Sequence, residues 1–199
     1  MQVTNNVVVR RFTSRVDVLS DVRYPVSTWR WTTPVRALTT VRSEAVSAVY
    51  DGAIYVVGGR MCRNGLFCYH STGERLLPGE RRWRLLPNKM TYRRWGAVGT
   101  VYDDRLYVFG GRRSGGHTVM NSVESLDFAT LTWTVSHNVF PTNCWAFAAV
   151  PGRLFLCRRY DSRIRPCEQP SVVVNVPARV VIETVPRNVS RYGAAVLLR

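Results

Sequence analysis

Catalysis, metal binding and phosphate binding each need particular side chains at particular spacings, and few candidates stand in this chain. Its three histidines, His70, His117 and His137, sit in different segments. Cys62, Cys68 and His70 form a C-x5-C-x-H string, which is not a standard zinc spacing and offers only three local ligands. These residues read as loop thiols beside a strand, and no metal site is assigned. Residues 110–116 begin like a phosphate loop, but the pair Gly115-Gly116 is followed by His117 rather than by Lys and then Ser or Thr. The 13 carboxylates are scattered, and no two are placed for general acid and base. No catalytic residue and no cofactor is assigned, so a non-enzymatic protein is expected.

What the chain does offer is guanidinium. Of 28 basic residues only Lys89 is a lysine, and the net charge is +15 with a pI of about 10.6. That balance predicts an anionic partner: an acidic protein segment, a nucleic acid or an acidic membrane surface. Arginine's planar fork grips a carboxylate with two hydrogen bonds. The candidate partner-binding residues are Arg10, Arg11, Arg60, Arg63, Arg112, Arg113, Arg158 and Arg159, with Arg163 and Arg165 beyond them. The competing reading is a coding bias toward arginine that fills loops at random.

The elements that would gather these arginines come from internal repetition. Residues 45–59 read AVSAVYDGAIYVVGG and residues 97–111 read AVGTVYDDRLYVFGG, identical at nine of fifteen positions with an offset of 52. A weaker copy, FAAVPGRLFLCRR, covers residues 147–159, and VVVRRF at residues 7–12 resembles its end. The marker position recurs at 10, 58, 110 and 158, and an arginine follows each marker within two residues. Each unit reads as strands: residues 95–102, a tight turn at Asp103-Asp104, residues 105–109, residues 122–128, then a strand around Trp133. No segment has a helical period. The expected units are 1–41 (partial), 42–93, 94–143 and 144–190, with 191–199 a closing first strand, because Arg191-Tyr192-Gly193-Ala194 resembles Arg94-Trp95-Gly96-Ala97. The diglycines supply positive φ and close backbone approach. The units that replace them, at Arg10-Arg11 and Arg158-Arg159, are expected to be less regular.

The set Arg94, Gly96, Leu106 to Gly111, Glu124, Leu126-Asp127, Thr130 and Trp133 resembles the kelch repeat, as does the linking phrase carrying Trp83, Leu86, Pro87 and Met90. The likeness is strong over residues 42–133 and degenerate outside them, and Leu126 stands where the family usually has tyrosine. It implies an all-β propeller of about four blades, or an incomplete ring completed by oligomerisation. It also implies a protein-interaction module, an adaptor or scaffold similar to the kelch half of ubiquitin-ligase adaptors, whose loops at one face hold a short acidic peptide. Those adaptors carry a BTB domain, for which this chain has no room. In a propeller the recurring arginines fall on one face, around one mouth of the channel. Nucleic-acid binding driven by charge is the alternative, and an enzyme on a propeller scaffold the second alternative. The odd number of cysteines, the absence of an apolar N-terminal stretch and the lack of any eighteen-residue apolar run point to a cytoplasmic protein with reduced thiols and no membrane insertion.

Overall fold

The computed structural model describes residues 37–113 and 119–137 with their side chains, and the strand backbone of residues 6–9, 16–20, 30–32, 144–150, 153–158, 171–175 and 180–185. All regular structure among the described residues is β-strand. The first sheet is an antiparallel meander of β1 (Asn6–Val9), β2 (Val16–Ser20) and β3 (Arg30–Thr32). Next come β4 (Val46–Tyr50), β5 (Ala53–Val57), β6 (Arg60–Arg63), β7 (Leu66–Tyr69), β8 (Gly73–Leu76) and β9 (Arg84–Leu85). Here β4-β5-β8-β9 form a sheet and β6-β7 a separate hairpin inserted between its second and third strands. The following unit has β10 (Arg94–Trp95), β11 (Val98–Tyr102), β12 (Arg105–Phe109), β13 (Arg112–Arg113), β14 (Val123–Asp127) and β15 (Trp133–Ser136). Its sheet is β11-β12-β14-β15, with β10 and β13 paired apart from it. A last meander joins β16 (Cys144–Val150), β17 (Arg153–Arg158), β18 (Ser171–Asn175) and β19 (Val180–Val185). Strand β4 lies against β1 and β11, and β11 lies against β16. Sheets thus meet through their leading strands, which is the radial arrangement of a β-propeller.

Both repeats turn between their first two strands through left-handed residues, Asp51 (φ 46) and Gly52 (φ 71) in one, Asp103 (φ 47) and Asp104 (φ 54) in the other. That conformation matches the right-handed twist of a hairpin. The core between the two sheets is made by Val46, Tyr55, Val57, Leu86, Met90, Leu106, Val108, Leu126 and Phe128. Leu126, in the family's tyrosine position, is wholly buried there. Trp83 closes a second cluster with Leu38, Val56 and Leu76.

The diglycines have a geometric cause. Gly58 and Gly59 have φ of 69 and 87, and Gly110 and Gly111 of 58 and 81. A Cβ at Gly59 would stand 2.6 Å from the Ser43 carbonyl oxygen, and one at Gly111 would stand 2.8 Å from that of Trp95. The Gly59 amide donates to the Arg94 carbonyl at 2.8 Å, so the same turn also ties one repeat to the next. In the last sheet, where arginines replace the glycines, pairing shifts register between Ala146 and Ala148 and again between Val173 and Val174.

Two expectations need correction. The strand expected over 95–102 is broken at Gly96, whose φ is 62 and whose amide donates to the Glu44 carbonyl at 3.0 Å. The residues before the break peel away and pair with β13, Trp95 opposite Arg112 and Arg94 opposite Arg113. The arginines expected in loops after the second strand are therefore strand residues: Arg112 and Arg113 in β13, Arg60 and Arg63 in β6. Their backbone groups find ladder partners instead of remaining solvated.

Candidate functional site

The diglycine end of the two described repeats is built on a buried ion pair in each. In the first, the Arg42 guanidinium donates to the Gly58 carbonyl (2.9 Å), the Thr72 carbonyl (2.8 Å) and Glu74 Oε1 (3.0 Å). In the second, Arg94 donates to the Gly110 carbonyl (2.9 Å), the Ser122 carbonyl (3.2 Å) and Glu124 Oε1 (2.8 Å). Each carboxylate also collects the chain entering its own repeat. Glu74 accepts from the Thr39 and Thr40 amides at 2.7 and 3.1 Å, and Glu124 from those of Thr91 and Tyr92 at 2.5 and 3.2 Å. All four charged side chains are buried. Burial lowers the pKa of Arg42 and Arg94, and the facing glutamate pulls each back up. Two carbonyls and two amides per repeat are satisfied by this one pair, which fixes the turn from which the following arginines project.

Those arginines converge on Trp95. The Arg60 guanidinium carbon lies 4.0 Å from the indole centroid and that of Arg112 lies 5.2 Å away. Arg60 is also 4.7 Å from the Phe67 ring and donates to Glu44 Oε1 at 2.6 Å. Phe67, Tyr69 and Trp95 follow one another with ring centroids 6.5 and 6.2 Å apart. Arg113, exposed, sits 5.3 Å from the Tyr92 ring, whose edge meets His137 at 5.9 Å. A guanidinium stacked on an aromatic ring gains cation–π attraction and loses rotational freedom, yet keeps its in-plane N–H donors.

The fold also sorts charge. Residues 60–73 and 105–123 contain no Asp or Glu. At the diglycine end of the described repeats the carboxylates are Glu74 and Glu124, both buried, and Glu44, held by Arg60. The solvent-facing carboxylates cluster at the other end. There Asp104 accepts from the Tyr50 hydroxyl at 2.9 Å, Asp127 pairs with Arg105 at 2.7 Å, and Glu80 pairs with Arg84. The acidic residues of the two described repeats are thus gathered, by the alternation of strand direction, away from Arg60, Arg112 and Arg113.

Of the eight arginines singled out from the sequence, Arg60 and Arg112 are brought together by Trp95. Arg113 stands beside them in β13, and Arg63 is exposed near the tip of the β6-β7 hairpin. Arg158 ends β17. Arg10, Arg11 and Arg159 lie outside the described residues, as do Arg163, Arg165 and His117. Arg60 is more committed than sequence reasoning allowed, being ion-paired and covered by two rings. Cys62 pairs across the hairpin with Phe67 and Cys68 with Met61, so the two thiols project from opposite faces and do not converge on His70 as a ligand set. The buried partners of the turn were missed by sequence reasoning apart from Arg94 and Glu124. The signal was present, since Arg42 and Arg94 are 52 residues apart and Glu74 and Glu124 are 50 apart. Register extends it: Val56 faces Glu74, Val108 faces Glu124 and Leu156 faces Val172, so the last sheet lacks the acid.

The kelch motif family model matches residues 42–90 and 93–136. Kelch repeat protein C2 of Vaccinia virus (strain Western Reserve) is 38% identical over 111 residues, which are 54% of this chain and 20% of that protein. Kelch repeat protein M-T8 of Myxoma virus (strain Lausanne) is 35% identical over 95 residues, 47% of this chain and 17% of that protein. The matched region thus spans about a fifth of the length of these curated relatives. The solved structure of YjhT superposes with a TM-score of 0.63 at 16% identity, covering 86% of this chain and 60% of that one, a likeness of fold alone. The repeated motifs, the relatives and the sheet arrangement agree: residues 42–90 and 93–136 carry kelch motifs, and the fold is a kelch-type β-propeller.

Proposed function

We propose that the chain is a non-catalytic protein-binding module that holds an acidic segment of a partner protein against its diglycine end, as a substrate-recognition or scaffold component. Kelch-repeat proteins generally mediate protein–protein interactions. The observation that carries the more specific reading is an end free, among the described residues, of unpaired solvent-facing carboxylates, with Arg60, Arg112 and Arg113 oriented by aromatic rings. Pre-oriented guanidinium groups lose less entropy on gripping a carboxylate than free ones do. The arginine-bearing ends of the remaining units, Arg10-Arg11 and Arg158-Arg159, belong to the same proposed surface by their place in the repeat. Exposed, unbridged Cys62 and Cys68 suit a reducing compartment, in keeping with a cytoplasmic site of action.

The test is capture of binding partners by the immobilised chain at moderate and high salt, with the wild type and the double variant Arg112→Glu/Arg113→Glu. Acidic proteins recovered by the wild type and lost with the variant, at unchanged thermal stability, are the expected result. Recovery of RNA or DNA with a steep salt dependence would replace this reading with nucleic-acid binding, and undiminished capture by the variant would remove the face from the account.

A further inference from the structure

The hairpin β6-β7 is not used by the core. It stands outside the four-stranded sheet as a two-stranded ladder, Arg60 with Tyr69 through Arg63 with Leu66. An isolated two-stranded hairpin is marginal in water, so something must hold this one. Strand alternation places Arg60, Cys62, Phe67 and Tyr69 on one face. That face is held at two places: Arg60 is clasped by Glu44 of its own repeat and lies over Trp95 of the next, and Tyr69 stacks beside the same indole. The backbone of Arg60 adds a bridge to Ser43.

The opposite face carries Met61, Arg63, Leu66 and Cys68. Leu66 is 73% exposed, a large apolar side chain standing at the tip of a fixed projection. The tip itself is a tight turn, with Asn64 at φ 51 and Gly65 at φ 79. Arg63 flanks Leu66 directly across the pairing, and no carboxylate occurs between residues 60 and 73. A partner that seats here must therefore bring an apolar group for Leu66 and negative charge for Arg63.

We infer that the outer face of this hairpin is a second contact for the acidic partner: a bulky apolar side chain adjoining the acidic run packs on Leu66 and Met61 while a neighbouring carboxylate reaches Arg63. The inference rests on the proposed acidic-segment function and adds its specificity. Charge alone does not distinguish one acidic sequence from another, whereas an apolar anchor on a pre-held hairpin does. A second copy of this chain is a poorer fit, since its own diglycine end repeats the positive charge.

The test uses fluorescein-labelled decapeptides of Glu, Ser and Gly, and a matched set in which one residue at varied position is Leu. Anisotropy titrations are run with the wild type, Leu66→Ser and Arg112→Glu/Arg113→Glu. Covering most of a leucine side chain corresponds to a gain of about tenfold in affinity. The best leucine-bearing peptide should therefore bind about tenfold tighter than its leucine-free parent. Leu66→Ser should erase that gain and leave binding of the parent peptide within about twofold, while the arginine double variant weakens both. Survival of the leucine gain in Leu66→Ser, or no gain at any position while the parent peptide binds, overturns the inference and leaves the acidic-segment function standing. Failure of every peptide to bind removes both together. Concentration-dependent self-association that disappears in Leu66→Ser would assign the face to a second copy and also overturn the inference.

Discussion

Replacing Glu124 by Gln removes one charge and almost no volume, and its consequences follow from the contacts. Glu124 is fully buried, faces a guanidinium that is itself 1% exposed, and accepts the Thr91 and Tyr92 amides. Gln leaves the Arg94 charge uncompensated, and its amide nitrogen brings donors to a place where only acceptors fit. Removing one partner of a buried ion pair costs about 3–5 kcal/mol, which is at least about a fifth of the stability of a domain with a typical 5–15 kcal/mol. The same reasoning separates the buried pair from a surface one. Glu80→Gln, which breaks an exposed pair with Arg84 one helical-type spacing away in sequence, should cost no more than about 0.5 kcal/mol. Glu124→Leu/Arg94→Met should not recover the loss, although such swaps are often neutral for simple pairs. Arg94 also satisfies the Gly110 and Ser122 carbonyls, and each group left unsatisfied costs about 1–3 kcal/mol. The assay is urea unfolding followed by tryptophan fluorescence, compared at equal m-value. A loss below about 1 kcal/mol for Glu124→Gln would refute the claim that this pair organises the turn.

Three further outcomes are expected. Gly59→Ala should lower stability by more than about 2 kcal/mol, because a left-handed non-glycine is strained and its Cβ would strike the Ser43 carbonyl; Gly65→Ala, with open space around it, should cost only the backbone strain of about 1 kcal/mol, and equal losses by thermal melting would refute the packing argument. His70 has its pKa lowered first by burial and then by the Arg42 charge, against a hydrogen bond to the Val41 backbone and the charge of Glu74. Unfolded, it takes up a proton near its ordinary value of about 6.5 and folded only at lower pH, so its contribution is complete above that value and fades as pH falls below it; His70→Asn should remove that slope from a stability–pH profile, and an unchanged slope would assign it elsewhere. If residues 191–199 supply the first strand of the sheet β1-β2-β3, then Arg191 corresponds to Arg94, and Asp17, which faces Val8 as Glu124 faces Val108, is its acid; Arg191→Met should then destabilise the protein and broaden its hydrodynamic profile, whereas unchanged stability and compactness would reject closure by that segment.

The sheets were legible in the sequence because a strand pair must alternate and a tight hairpin turn must use residues tolerant of left-handed backbone, and both constraints recur at residues 45–59 and 97–111. The diglycines were legible for the same reason. The location of Arg60 and Arg112 on one end was legible from their common place in the repeat, but their contact with Trp95 was not. Nothing in a one-dimensional pattern says that Gly96 would break the strand and release Trp95 toward its neighbours, because that depends on the Glu44 carbonyl of the preceding repeat. The segregation of acidic side chains was hidden for a similar reason. Asp104 and Asp127 are 23 positions apart, yet Asp127 faces Arg105, the residue next to Asp104, across a ladder. The hairpin β6-β7 could have been read from Asn64-Gly65 flanked by Met61-Cys62-Arg63 and Leu66-Phe67-Cys68, a strong short-range turn signal.

The proposed function sets an acidic segment across the arginine–aromatic end. Photo-crosslinking places a bound peptide directly. A glutamate-rich peptide carrying a diazirine side chain, irradiated with the folded protein and mapped by mass spectrometry, should label residues within 60–69, 92–95 and 111–113, with labelling suppressed by added salt. Labels concentrated at the opposite end, around Asp51-Gly52 and Asp103-Asp104, or spread evenly over the sheets, would contradict the account.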